Sequence, residues 1–185
     1  MAIFKALLLL LSVTAISTAI PTPAHDSYVE KKMGSEKYTH LHLYVHIAFS
    51  GSNATAAKVV QGPTNKSLGF GDMIVVDNPI TEGPDLSSKL IGREQGYTIT
   101  VSRDPDLSKT INLLTINLAF IAGKHKNSTL TIMGRDPVFN VVRELSVVGG
   151  TGAFRLARGY SIWTSISFNL TGNSIIEGDI HVFHY

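Results

Sequence analysis

The sequence predicts an all-β fold in one domain, an antiparallel barrel or sandwich. Residues 40–47 alternate strictly: Leu41, Leu43, Val45 and Ile47 fall on one face, His40, His42, Tyr44 and His46 on the other, the period-two mark of a strand. Short runs rich in Val, Ile, Thr, Tyr and Phe then recur to the end of the chain, separated by Gly, Pro, Asn, Asp and Ser. Convincing amphipathic helical spacing is missing, with Asp85–Leu90 at most one short turn. Many short strands with few helices leave barrel and sandwich as the alternatives.

Ahead of the strands, residues 1–19 read as a secretory signal peptide. Lys5 supplies the positive start, Ala6–Leu11 begins the apolar stretch, and Ser17-Thr18-Ala19 offers small residues for cleavage. That stretch is too short and too interrupted by Ser and Thr to span a bilayer, and no later segment is apolar for long enough, so no membrane partner is expected. Residues 20–38 are polar and proline-bearing without periodicity, which reads as a flexible arm. The domain proper is expected over 39–185.

After the alternating first strand, the strand candidates are Ala56–Gln61, Asp72–Val76, Gly96–Ser102, Ile111–Ile121, Thr129–Met133, Glu144–Val148, Gly159–Asn169 and Ile175–Tyr185. Gly123–Asn127 reads as a hairpin connection and Asn78–Lys89, with its Pro and Gly, as a loop. Gly149–Gly152 resembles a phosphate loop only in its glycines. No helix pattern and no Lys-Ser/Thr ending follows, so it reads as a tight strand–strand turn needing positive φ.

Composition narrows the chemistry. The formal charge is +2, one unit of which is Lys5 in the leader, too little and too scattered for a nucleic-acid footprint. The chain has no cysteine, which removes disulfides and thiol catalysis. Motifs for flavin, haem or nicotinamide are lacking, so no cofactor is expected. The histidine face lacks the carboxylate that a His-x-His metal site would need, so no metal is expected. Acceptor sequons at Asn53, Asn65, Asn127 and Asn169 fit a secreted glycoprotein.

Asp136 and Arg143 are the leading candidates for chemistry. Bridged by Pro137, they read as a loop after one strand and a return into the next. An acid at a pocket mouth can exchange a proton with a ligand hydroxyl, and an adjacent arginine can keep it ionised or hold a developing anion; a solvated surface pair is the plainer reading. Asp77, before Asn78-Pro79, reads as a turn former or a pocket residue. Arg155 and Arg158 either reach the pocket or pair on the surface.

Three stretches, GRDPVFNVVRELSVVGGTGAFRLARGY (134–160), FGDMIVVDNPITEGPDLSSKLIGREQG (70–96) and the terminal HVFHY, together resemble the plant dirigent proteins. The resemblance implies an eight-stranded antiparallel barrel associating as a homodimer or homotrimer in the apoplast. It also implies a pocket role for Asp136 and Arg143, since family members that bind aryl radicals carry an acid and an arginine at this spacing. Relatives read His-Asp-Ile on the first strand where this chain has His46-Ile47-Ala48. Ile47 therefore stands in an acidic position, where it can pack against an aromatic ring but cannot take a phenolic proton.

The activity so implied is stereoselective coupling of phenoxy radicals from monolignols such as coniferyl alcohol, with a separate laccase or peroxidase as oxidant. The missing cysteine and Ile47 keep two alternatives open. One resembles pterocarpan synthases, which dehydrate an isoflavanol through a quinone methide without oxidant. The other is a non-catalytic, phenolic-binding defence protein.

Overall fold

The structure, a computed structural model, describes residues 34–64, 68–169 and 172–185. The expected signal peptide, most of the expected arm and Asn65 lie outside the described residues. Nine strands follow one another: β1 (Lys37–Ala48), β2 (Ala56–Val60), β3 (Met73–Thr81), β4 (Leu90–Thr100), β5 (Ile111–Phe120), β6 (Thr129–Pro137), β7 (Val142–Thr151), β8 (Arg158–Ser167) and β9 (Asn173–His184). They form one antiparallel sheet in the order β1-β9-β8-β7-β6-β5-β4-β3-β2, and β1 pairs again with β3. Eight strands thus close into a barrel, which removes the free edges of the sheet, and β2 remains outside as an extra strand on β3.

Alternation selects what points inward. Leu43 and Val45 of β1 are buried, as are Ile116, Leu118 and Phe120 of β5, Leu130 and Ile132 of β6, and Ile176, Ile180 and Val182 of β9. Phe154, fully buried, plugs one end from a short 3-10 turn, Gly152–Phe154. The Trp163 ring lies over Gly178, where a Cβ would come within 2.9 Å of it. Its Nε1 donates to Ser161 Oγ at 2.8 Å, which satisfies the buried indole.

Several strands outrun their sequence signals. β1 begins at Lys37, so the expected arm ends two residues early. β3 continues through Thr81, although Pro79 argues against a strand there. The reason is a change of partner: β2 pairs with β3 as far as Val76, and β1 takes over from Ile80. Pro79 sits in the gap, where no neighbour needs its missing N–H. The expected loop over Asn78–Lys89 shrinks accordingly to Glu82–Lys89, where Leu86 and Ser87 form a turn, and Leu90 already opens β4.

Gly149, Gly150 and Thr151 continue β7 rather than turning. Gly152 alone of the four has positive φ, at +62°. The closest backbone approach is at Gly159 on β8, where a Cβ would stand 1.9 Å from the His181 carbonyl oxygen of β9. Gly159→Ala must push these strands apart. A loss of about 2 kcal/mol in urea unfolding is expected, and a loss under about 0.5 kcal/mol would show that the ladder yields there at no cost.

Candidate functional site

Ile47 (β1), Ile74 and Val76 (β3), Leu114 (β5), Leu145 (β7), Trp163 (β8) and Ile176 (β9) give the barrel interior an apolar wall around a cavity of ≈110 Å³. Phe49 and Phe168 extend that wall; Phe168 is 37% exposed and stacks edge-on with Phe139 at 5.6 Å, marking the outer side. Into this apolar space project Asp136, Arg143, Glu94, Asn78, Asn112 and Thr98.

Asp136 and Arg143 are both strand residues, contrary to the loop expected around them. Asp136 lies near the end of β6 and Arg143 at the start of β7. Arg143 Nε approaches Asp136 Oδ1 at 3.2 Å. The angle is poor, however, and that oxygen is buried without a hydrogen-bond donor. The pair is a Coulombic contact rather than a hydrogen bond. Arg143 Nη1 is spent elsewhere, donating to the carbonyls of Val138 and Asn140 and to Ser165 Oγ at 3.0–3.3 Å. Burial pushes the Asp136 carboxyl above its ordinary range, and the Arg143 cation partly offsets this.

The sequence gives no warning of Glu94. It is 7% exposed on β4 and lines the same cavity. Its pKa is pushed up to about 7, first by burial and also by the Asp136 charge, against the opposing Asn78 hydrogen bond and Arg143. A directional chain fixes it. The Ala48 N–H donates to Thr55 Oγ1 at 2.9 Å, so the Thr55 hydroxyl proton is free to donate to Asn78 Oδ1 at 2.6 Å. That orients the Asn78 amide, whose Nδ2 donates to Glu94 Oε2 at 2.5 Å. Gly92, Glu94, Gly96 and Thr98 alternate with Arg93, Gln95, Tyr97 and Ile99, a period-two pattern that marks the strand despite lacking apolar residues on its inner face.

Other expected site residues lie elsewhere. Asp77 is one position out of phase with inward-facing Asn78. It points to the outer surface, where Arg93 Nε at 2.8 Å and Gln95 hold it, and the Arg93 hydrogen bond keeps its carboxyl below the ordinary range. Arg158 is exposed at the start of β8 and pairs with Glu36. Neither lines the cavity: Asp77 and Arg158 both take the surface alternative to a pocket role. Asn53, Asn127 and Asn169 are all exposed, Asn127 in the β5–β6 hairpin at φ +64°. On the outer face of β1, His40 meets Asp179, His42 meets Glu177 and His46 meets Thr81 Oγ1, at 2.7–2.9 Å. Among the described residues no group of three or more ligand-type side chains gathers as a metal site.

The fold is thus a closed antiparallel barrel with ionisable groups set into an apolar cavity. Residues 38–183 match the family profile described as Dirigent-like protein, and the chain belongs to that family. It is 38% identical to Dirigent protein 21 of Arabidopsis thaliana over 98% of this chain and 94% of that protein. It is 40% identical to Pterocarpan synthase 1 of Glycyrrhiza echinata over 81% of this chain and 80% of the relative. The solved pterocarpan synthase dirigent protein GePTS1 superposes with a TM-score of 0.76 at 38% identity, covering 83% of this chain and 94% of its own.

Proposed function

We propose that the barrel binds a single phenolic and directs quinone-methide chemistry without an oxidant, as in pterocarpan synthase-type dehydration of an isoflavanol. The observation that carries this reading is the size of the cavity beside Asp136 and Arg143. A dry cavity of about 150 Å³ holds one benzene. The ≈110 Å³ within this open cleft is smaller than that, so it takes at most one aromatic ring, with the rest of the ligand reaching toward Phe49 and Phe168, and not two monolignols side by side. Asp136 takes the phenolic proton and Arg143 holds the resulting oxyanion. The 40% identity to a pterocarpan synthase supports the reading.

A second reading is stereoselective coupling of monolignol radicals supplied by an external laccase or peroxidase. The aromatic surface of Phe49, Phe168 and Phe139 at the outer side favours it, because a second ring can stack there. Both readings place the protein in the extracellular space, in keeping with the leader-like residues 1–19 and the exposed Asn53 and Asn127. Both also take self-association as a homodimer or homotrimer, for which the exposed Tyr38, Tyr160 and Phe183 of β1, β8 and β9 offer apolar surface.

The two readings part on oxidant. Purified protein is incubated with an isoflavanol alone, and separately with coniferyl alcohol plus a one-electron oxidant, and both products are resolved by chiral chromatography. Accelerated pterocarpan formation without oxidant is expected, with kcat falling at least about 10²-fold in Asp136→Asn. Enantiomeric excess confined to the oxidant arm would instead establish coupling. Trp163, the single tryptophan of the chain, lines the cavity and reports occupancy in either case through fluorescence quenching.

A further inference from the structure

We propose that Glu94 is the general acid of this cavity, passing a proton from Oε1 to the departing hydroxyl of the phenolic substrate; the assignment rests on the dehydration reading above. The geometry fixes which oxygen is the donor. Asn78 Nδ2 donates to Oε2, and Thr55 locks that amide orientation through its own hydroxyl. Oε2 is therefore the acceptor oxygen of the neutral acid, and the proton resides on Oε1, which has no protein partner among the described residues. A neutral carboxylic acid held this way in an apolar wall is built to donate. Asp136, with its ionic contact to Arg143, is the group to hold the negative charge. Of the two buried carboxyls only Asp136 has a cation in contact, so it takes the role of base and Glu94 that of acid.

The first strand offers no carboxylate to the cavity, since Ile47 occupies its wall there. Glu94 provides the second one from β4.

The step balances as follows. Asp136 accepts the proton of a phenol conjugated with the carbinol carbon. The carbinol C–O bond breaks as Glu94 protonates its oxygen, releasing water and leaving a quinone methide. A second phenolic oxygen of the same substrate then attacks the methide carbon and forms the new C–O bond, and its proton returns to Glu94. Asp136 gives its proton back to the quinone methide oxygen, restoring the phenol. The net change is loss of one water with no oxidation or reduction.

The ionisable groups facing Glu94 are Asp136 on β6 and Arg143 on β7. Its ladder neighbours on β3 and β5, Asn78 and Leu118, are uncharged. A pH dependence that disappears with Glu94 is thus its own.

Two measurements test the assignment. With an isoflavanol as substrate, Glu94→Gln keeps the shape and the Asn78 contact but has no acidic proton. It should lower kcat at least about 10²-fold with KM within about threefold, and Glu94→Asp should recover part of the rate. A Glu94→Gln variant with wild-type kcat overturns the proposal. The second uses an isoflavone, which carries a carbonyl oxygen where the isoflavanol has its hydroxyl, with Kd read from Trp163 quenching. In the wild type, binding should weaken about tenfold as pH rises through about 7, whereas Glu94→Gln should bind independently of pH over that range. Equal pH dependence in both proteins overturns the proposal. If the wild type forms no pterocarpan yet binds isoflavone with the Glu94-dependent pH profile, the dehydration reading fails while the donor geometry of Glu94 stands.

Discussion

Arg143→Met is expected to cost about 3–5 kcal/mol of folding stability, the usual result of removing one member of a buried ion pair. Two losses add together. The guanidinium no longer donates to the Val138 and Asn140 carbonyls or to Ser165, which tie the β6–β7 connection to β8. Asp136 is left buried without its cation. Methionine restores volume but neither donors nor charge. The loss also has a pH signature. Arg143 is what lowers an Asp136 carboxyl that burial raises, so without it the folded-state affinity for the proton climbs further. A carboxyl raised above its unfolded value loses stability as pH rises. Urea unfolding of Arg143→Met should therefore show a larger deficit at pH 8 than at pH 5. Adding Asp136→Asn should recover part of the deficit at pH 8. A deficit independent of pH, unrelieved by the second change, would mean that the lost donors matter and the charge does not.

The second large effect concerns Glu94. Burial pushes its carboxyl up to about 7 in the fold, above the ordinary glutamate value of 4.5. The native barrel therefore holds a proton that the unfolded chain releases. The group imposes no penalty below about pH 4.5 and its full penalty above about 7. Moving a carboxyl across that interval corresponds to about 3 kcal/mol. Wild-type stability should fall relative to Glu94→Gln as pH rises through this window, and Glu94→Gln should be the more stable protein at pH 8 by about 3 kcal/mol. Parallel stability profiles for the two proteins would show that Glu94 titrates as if solvated. The same burial that makes Glu94 a proton donor thus weakens the barrel at alkaline pH.

Much of the barrel was legible because its packed face is apolar and alternates. Leu41, Leu43 and Val45 announced β1, and Ile116, Leu118 and Phe120 continued the same rule in β5. The cavity was harder to read for the same reason. On β4 the inner face is Gly92, Glu94, Gly96, Thr98 and Thr100, with no apolar residue to count, so the strand was recognised only from Gly96. Prolines misled twice. Asp-Pro at 136–137 and Asn-Pro at 78–79 both suggest turns, but each lies in a strand at a point where no neighbour needs the missing N–H or where the ladder ends. At Asp77 the carboxylate is the more obvious chemical group, but strand parity sends it to solvent and the neighbouring Asn78 amide to Glu94. The Asn78–Glu94 contact depends on the β3–β4 register, which no local spacing reveals.

The first and last strands, β1 and β9, pair residue by residue along their whole length, from Lys37 with His184 to Ala48 with Asn173. A ribosome makes β1 first and its main partner last. At roughly 5–20 residues per second, β1 waits on the order of ten seconds for β9 to appear. During that interval Leu41, Leu43, Val45 and Ile47 have no opposing wall, and β3 can offer β1 only the short pairing at Tyr44 and Val45. Closure is thus a late, non-local event, of the kind that makes β-rich chains slow to fold. Loss of the last strand removes the partner along which β1 is held, so a chain truncated before Asn173 would leave the emerging polypeptide with a long sticky edge and no barrel.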